Sequence, residues 1–111
     1  MKTFSIVASN HIPGAEDFVK TLQAGVDATL VREPNNPFDR NAVAVWIDGQ
    51  KVGHVPKAQN KALAAFIDQS GANMPELAMD AVAAASGGPK AIPAKFVRSP
   101  NSGFPMVSVS E

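Results

Sequence analysis

The sequence contains no cysteine, which excludes disulfide bonds, thiolate metal sites and a cysteine nucleophile. No stretch approaches the roughly 18 consecutive apolar residues that a membrane span needs. The first residues lack the long apolar run and cleavage site of a signal peptide, so we expect none and predict a cytoplasmic protein. Charge of one sign is not in excess, because ten Lys and Arg balance ten Asp and Glu. A net charge of zero argues against a protein that binds polyanions through its overall charge, although it allows a local basic patch.

Recognisable catalytic motifs are also missing. There is no serine–histidine–acid signature, no Gly-rich phosphate loop and no acidic cluster suited to two metal ions. The two histidines, His11 and His54, lie in settings too different to form a metal site. We therefore predict no catalytic residues, no metal and no cofactor, and expect a binding protein rather than an enzyme.

The residues that are present predict one folded domain over 1–111, because hydrophobic residues make up 45% of the chain. Alternating patterns predict strands. A helix over Ala58–Ser70 is predicted by apolar residues that recur at helical spacing, namely Ala62, Leu63, Phe66 and Ile67. The segment Glu76–Ala85 fits a helix or a strand, and we prefer a strand. The remaining predicted elements are strands Thr3–Ala8, Val26–Val31, Ala42–Ile47 and Gln50–Val55, a short helix Ala15–Gln23, and a hairpin of Ala91–Arg98 with Phe104–Ser110. Asp48-Gly49 between two of these strands predicts a tight hairpin turn, because such a turn needs positive φ at both positions. We predict a mainly β fold with one or two helices, a small, partly open antiparallel barrel of the oligonucleotide-binding (OB) type.

A polar loop interrupts the strand pattern between Leu30 and Val45. Pro34 and Pro37 remove backbone donors, so the middle of this stretch cannot be a strand. The asparagines and the aspartate around these prolines can bond to their own backbone and fold the loop locally. The loop would then display Arg32, Asn36, Phe38, Asp39 and Arg40.

Two residues of this loop have alternative interpretations. Phe38 either stacks on a ligand base or packs inward as a loop anchor. Asp39 either accepts a hydrogen bond from a ligand hydroxyl or caps the backbone of Asn41. The basic side chains near this loop also have two interpretations. They form either a solvated surface or a groove that binds the phosphates of a nucleic acid. The cations concerned are Arg32, Lys51, Lys57 and Lys61, and His54 beside Lys57 could donate to a phosphate.

Two stretches, Arg32–Val45 and Asp48–Lys57, resemble the HIRAN domain, and the similarity extends over about residues 4–67. The resemblance implies an OB-like fold that captures the 3′ end of single-stranded DNA. On this pattern Phe38 would stack on the terminal base and Asp39 would bond the free 3′ hydroxyl. The family contacts the last nucleotides and their phosphates at the positions of Asn36, His54 and Lys57. Arg32 matches the family's arginine, whose role is either DNA binding or structural, and Phe18 is the candidate for a second stacking aromatic.

The sequence departs from the family pattern at Phe38, which replaces the usual tyrosine and so keeps the stacking face but loses a hydroxyl. From the resemblance we expect a monomeric module in DNA repair or replication-fork processing, with any enzymatic step supplied in trans by a helicase or nuclease. One alternative is a protein-interaction module that has kept the fold and lost DNA binding. A small hydrolase using His54 and Asp39 is a further alternative, which the missing nucleophile argues against.

Overall fold

The computed structural model describes residues 2–73 and 90–110 and shows seven strands and two α-helices within them. The strands are β1 Lys2–Ser5, β2 Asp27–Arg32, β3 Val43–Ile47, β4 Gln50–His54, β5 Ala72–Asn73, β6 Lys90–Arg98 and β7 Pro105–Val109. The helices are α1 Ala15–Lys20 and α2 Lys57–Ser70, and a 3₁₀ turn covers Ser9–His11. The predicted strand Glu76–Ala85 lies outside the described residues.

The strands form one antiparallel, curled sheet in the order β1-β7-β6-β2-β3-β4, with β5 pairing beside β6. This confirms the predicted mainly β, OB-like architecture. The two-residue strand β5 was not predicted, because a segment that short carries no periodicity. The described helices are all too short or too polar to cross a membrane.

The two edges of the sheet meet at Val7 and His54. Each residue donates its backbone N–H to the carbonyl of the other, at 2.8 Å in both directions. The predicted first strand therefore stops at Ser5, because the chain then turns from β7 towards β4 to make this contact. Gly53 permits the approach, since a Cβ there would lie 2.6 Å from Ile6 Cγ2 and 2.7 Å from the Val7 carbonyl oxygen.

The turn between β3 and β4 has the predicted chemistry. Asp48 and Gly49 both have positive φ, 54° and 76°, as the tight hairpin turn requires. This turn brings Lys51 and His54 of β4 back alongside β3, whose first residue follows the polar loop. The hairpin thus positions two basic side chains next to that loop.

Helix α2 packs against β2, β3 and β6 of the sheet. The predicted helix is confirmed, but the buried face differs from the predicted one. Ala62 is exposed and Phe66 is 38% exposed, so neither belongs to the buried stripe. The buried residues follow the spacing i, i+3, i+4, i+7, and they are Asn60, Leu63, Ala64 and Ile67. Three apolar residues and one amide therefore face the core.

Candidate nucleic-acid interface

The polar loop between β2 and β3 is a series of tight turns. The N–H of Asn36 donates to the Glu33 carbonyl at 3.0 Å, which closes a turn with Pro34 at its second position. The Asn36 side-chain oxygen then accepts from the N–H groups of Phe38 and Asp39, at 2.9 and 3.1 Å. Asn36, predicted to contact DNA, thus holds the loop in shape from within.

Arg32 anchors this loop to helix α2. Its side chain is buried, and its Nη1 donates to the carbonyls of Arg40 and Ala42 at 2.9 and 3.3 Å. Its Nε also donates to Asp68 of α2 at 3.0 Å. Because its donors are used inside the protein, the contacts of Arg32 are those of a loop support, and its predicted contact with DNA has no support in this geometry.

Glu33 gathers the two basic side chains of β4. Its carboxylate accepts from Lys51 Nζ at 2.6 Å and from His54 Nε2 at 2.7 Å, so this imidazole nitrogen carries a hydrogen. Burial alone would raise the pKa of Glu33, but the hydrogen bonds from His54 and Lys51 lower it from an ordinary 4.5 to about 2. The predicted phosphate contact of His54 would thus compete with Glu33.

Phe38 and Asp39 form the tip of the loop, and 92% of the Phe38 surface is exposed. An anchor packed inward would be buried, so the structure supports the interpretation of Phe38 as a displayed aromatic. Burying a side chain of this size is worth about 1.5–3 kcal/mol, which an exposed ring forgoes unless a ligand covers it. The ring is thus available as a stacking platform.

Asp39 follows Phe38 and uses both carboxylate oxygens. Oδ1 accepts from the N–H of Asn41 at 2.9 Å, which is the backbone cap considered as an alternative from the sequence. Oδ2 accepts from the side-chain amide of Asn60 at 2.8 Å. The Asn60 amide, followed by the Asn41 backbone, holds the pKa of Asp39 below its usual range. At neutral pH the group is an ionised acceptor with free lone pairs.

Cations beside the tip lie at the start of α2. Lys57 and Lys61 are exposed one helical turn apart, and within residues 2–73 and 90–110 neither side chain forms a hydrogen bond or a salt bridge. Lys57 is close enough to Asp39 to lower its pKa further through its charge. Phe18 of α1 packs partly against the core, so its predicted stacking role stays a prediction.

Asn60 is the site residue that the sequence prediction missed. The available signal was its spacing, because Asn60 falls on the apolar stripe of Leu63, Ala64 and Ile67, where an amide needs a partner. Across residues 2–73 and 90–110, no group of three or more His, Cys, Asp or Glu side chains could hold a metal ion.

Comparison with protein families identifies the domain. The family model of the HIRAN domain matches residues 2–85. This chain belongs to the HIRAN domain family. Helicase-like transcription factors of Homo sapiens and Oryctolagus cuniculus are each 36% identical over 59 residues, 52% of this chain. The chain spans 6% of the length of these relatives.

Solved structures confirm the fold. A protein from Lactobacillus plantarum matches 97% of this HIRAN chain and 88% of its own, with a TM-score of 0.69 and 19% identity. The crystal structure of the HIRAN domain of human HLTF matches 96% of this chain and 69% of its own, with a TM-score of 0.60 and 23% identity. At these identities the likeness concerns the fold alone. Family membership supports a nucleic-acid-binding module in general.

Proposed function

We propose that this HIRAN domain binds single-stranded DNA and captures its free 3′ end. The observation that carries the proposal is that exposed Phe38 stands next to the ionised carboxylate of Asp39, at the tip of a loop held by hydrogen bonds. An aromatic face stacks on any base, and such stacking contributes about 1–3 kcal/mol per base. The carboxylate next to it would repel phosphates, so it suits a part of the strand that has none.

The free 3′ hydroxyl is such a part. It presents a hydrogen-bond donor, and an ionised carboxylate is a strong acceptor. Asp39 would therefore bond the hydroxyl while Phe38 stacks on the terminal base, and Lys57 would contact a phosphate one or more nucleotides inward. The matched family is a binding domain, so the catalytic step in this proposal belongs to a helicase or nuclease acting in DNA repair or at replication forks.

Affinity for three labelled single strands of one sequence tests the proposal: one with a 3′ hydroxyl, one with a 3′ phosphate and one closed into a circle. We expect the hydroxyl strand to bind about tenfold or more tightly than either of the others, because both lack the terminal donor. Equal affinity for all three strands would contradict 3′-end capture, although it would leave general single-strand binding intact.

A protein-interaction module is the second candidate function. The zero net charge favours it, as does the pairing of Lys51 and His54 with Glu33, which withdraws two cations from a phosphate groove. On this hypothesis Phe38 would insert into a protein pocket instead of stacking on a base. Failure of all three strands to bind at low salt would favour this candidate over DNA binding.

A further inference from the structure

Asn60 is an amide on the buried face of α2, only 4% exposed. Burying an amide among apolar residues is costly unless it forms hydrogen bonds. Here Nδ2 donates to the Asp39 carboxylate 21 positions earlier in the chain, at 2.8 Å. The amide thus connects the buried face of α2 to the tip of the polar loop.

The Asp39 carboxylate is held from two different elements. Asn41, in the same loop, donates its backbone N–H to one oxygen, and Asn60 of α2 donates to the other. Two donors on two oxygens fix the plane of the carboxylate relative to the helix. An ionised carboxylate has about four lone-pair positions, so roughly two remain for a ligand.

We propose that Asn60 is a positioning residue that orients the Asp39 carboxylate for the terminal hydroxyl and thereby sets the discrimination between 3′ hydroxyl and 3′ phosphate ends. The inference rests on the proposed function and adds a specificity-determining residue to it. Binding groups need a supporting shell that locks their rotamers, and a buried amide on a helix is a more rigid support than a loop backbone alone.

The Asn60 amide holds the Asp39 carboxylate near the charge of Lys57. The exposed ammonium group of Lys57 lies at the start of the same helix and is close enough to lower the pKa of Asp39. A carboxylate held only by Asn41 through one oxygen could rotate about its Cβ–Cγ bond, so its free lone pairs would lose their fixed direction. The bond from Asn60 to the second oxygen prevents this rotation and keeps the acceptor in place beside the Lys57 charge.

The test replaces Asn60 with Leu, which has the same branched arrangement of four side-chain heavy atoms and suits the apolar stripe, and with Ala as a second variant. Gln59→Ala is the matched control, because it removes an exposed amide from the same turn of α2. The Kd of each protein is measured for a short oligothymidine strand ending in a 3′ hydroxyl or a 3′ phosphate. The readout is the Kd for the 3′ phosphate strand divided by the Kd for the 3′ hydroxyl strand. We expect this ratio to fall at least about threefold in Asn60→Leu, because the acceptor is misaligned, and to stay unchanged in Gln59→Ala.

A readout without DNA accompanies the binding test. The titration of the Asp39 carboxyl carbon, followed by NMR, should move to higher pH in Asn60→Leu and stay in place in Gln59→Ala. A wild-type ratio well above one that persists in Asn60→Leu would overturn this inference and leave 3′-end capture standing. A proportional loss of affinity for both ends would overturn it too, since that indicates a merely structural amide. A wild-type ratio of one would overturn the proposed function itself.

Discussion

The base and the tip of the polar loop use their charged and aromatic groups in opposite ways. We define the base as Arg32, Glu33, Lys51, His54 and Asp68, and the tip as Phe38 and Asp39. At the base, Arg32 is bonded to Asp68, and Glu33 is bonded to both basic side chains of β4. At the tip, the aromatic ring is 92% exposed and the carboxylate keeps unused lone pairs.

This difference separates stability from recognition within one loop of about ten residues. The charges at the base neutralise one another, so they hold the loop in place and leave little for a ligand. The tip is held by hydrogen bonds to its backbone and to Asn60, which leaves its binding groups oriented towards solvent. Substitutions at the base should therefore act on unfolding, and substitutions at the tip should act on binding.

The largest effect is expected for Arg32→Ala at the base. The change removes a buried guanidinium and leaves two loop carbonyls without their donor, so the free energy of unfolding should fall by about 3 kcal/mol. Arg40→Ala is the control, because that side chain is exposed and its loss should change stability by about 0.5 kcal/mol or less. Urea denaturation measures both. Equal losses would show that Arg32 does not support the loop as its contacts indicate.

Low pH should destabilise the base of the loop, because Glu33 becomes protonated there. Its folded pKa of about 2 lies below the ordinary 4.5, so its contribution is present above pH 4.5 and is lost as the pH falls towards 2. The shift corresponds to about 2–3 kcal/mol after allowance for partial exposure of the cluster. Denaturation of wild type and Glu33→Gln at several pH values checks this, because the variant should lose less stability across the window. Parallel pH curves would exclude the Glu33 cluster as the cause.

Phe38→Ala at the tip should reduce affinity for single-stranded DNA by about 1–3 kcal/mol while the melting temperature stays unchanged. Removing an exposed ring breaks few contacts of the folded protein, so stability should be kept. Substitutions at the base, in contrast, break hydrogen bonds and salt bridges of the folded protein. Phe104→Ala is the control, because Phe104 is also exposed, at 53%, but lies before β7. A collapse of stability with unchanged affinity would show that Phe38 is an anchor after all.

The smallest effect concerns the cations. Each phosphate contact on a single strand adds about −0.7 to the slope of log affinity against log salt, so Lys57→Ala should flatten that slope by about this amount. Lys51→Ala should flatten it less, because Glu33 already neutralises Lys51. Fluorescence anisotropy over a salt series measures both slopes. A larger change in Lys51→Ala would mean that the ligand displaces Glu33.

The fold could be predicted from the sequence where the signals were local. Asp48-Gly49 predicted a tight hairpin, and its two positive φ angles confirm that turn. The break at Pro34 and Pro37 predicted the loop, and the 92% exposure of Phe38 agrees with one of the two interpretations that the sequence allowed. Each of these signals depends on a few neighbouring residues, so none required knowledge of the tertiary packing.

The rest could not be predicted because it depends on contacts distant in sequence. The link of Asp39 to Asn60 spans 21 positions and that of Arg32 to Asp68 spans 36, and both follow from the way α2 packs on the sheet. The resemblance allowed a structural role for Arg32, but its partners, Asp68 and two loop carbonyls, depend on the fold and could not be predicted. The monomeric state, the cytoplasmic location and the stacking role of Phe18 stay predictions.

The central claim, that the tip reads a free 3′ end, is tested most directly with Asp39→Asn. The new side chain can still accept from the Asn41 N–H, and Asn60 can turn its amide to match, so the loop cap is kept while the charge is lost. We predict that wild type prefers a 3′ hydroxyl strand over a 3′ phosphate strand by about tenfold or more, and that Asp39→Asn binds both about equally. Equal affinity of the wild-type protein for the two strands would contradict the claim.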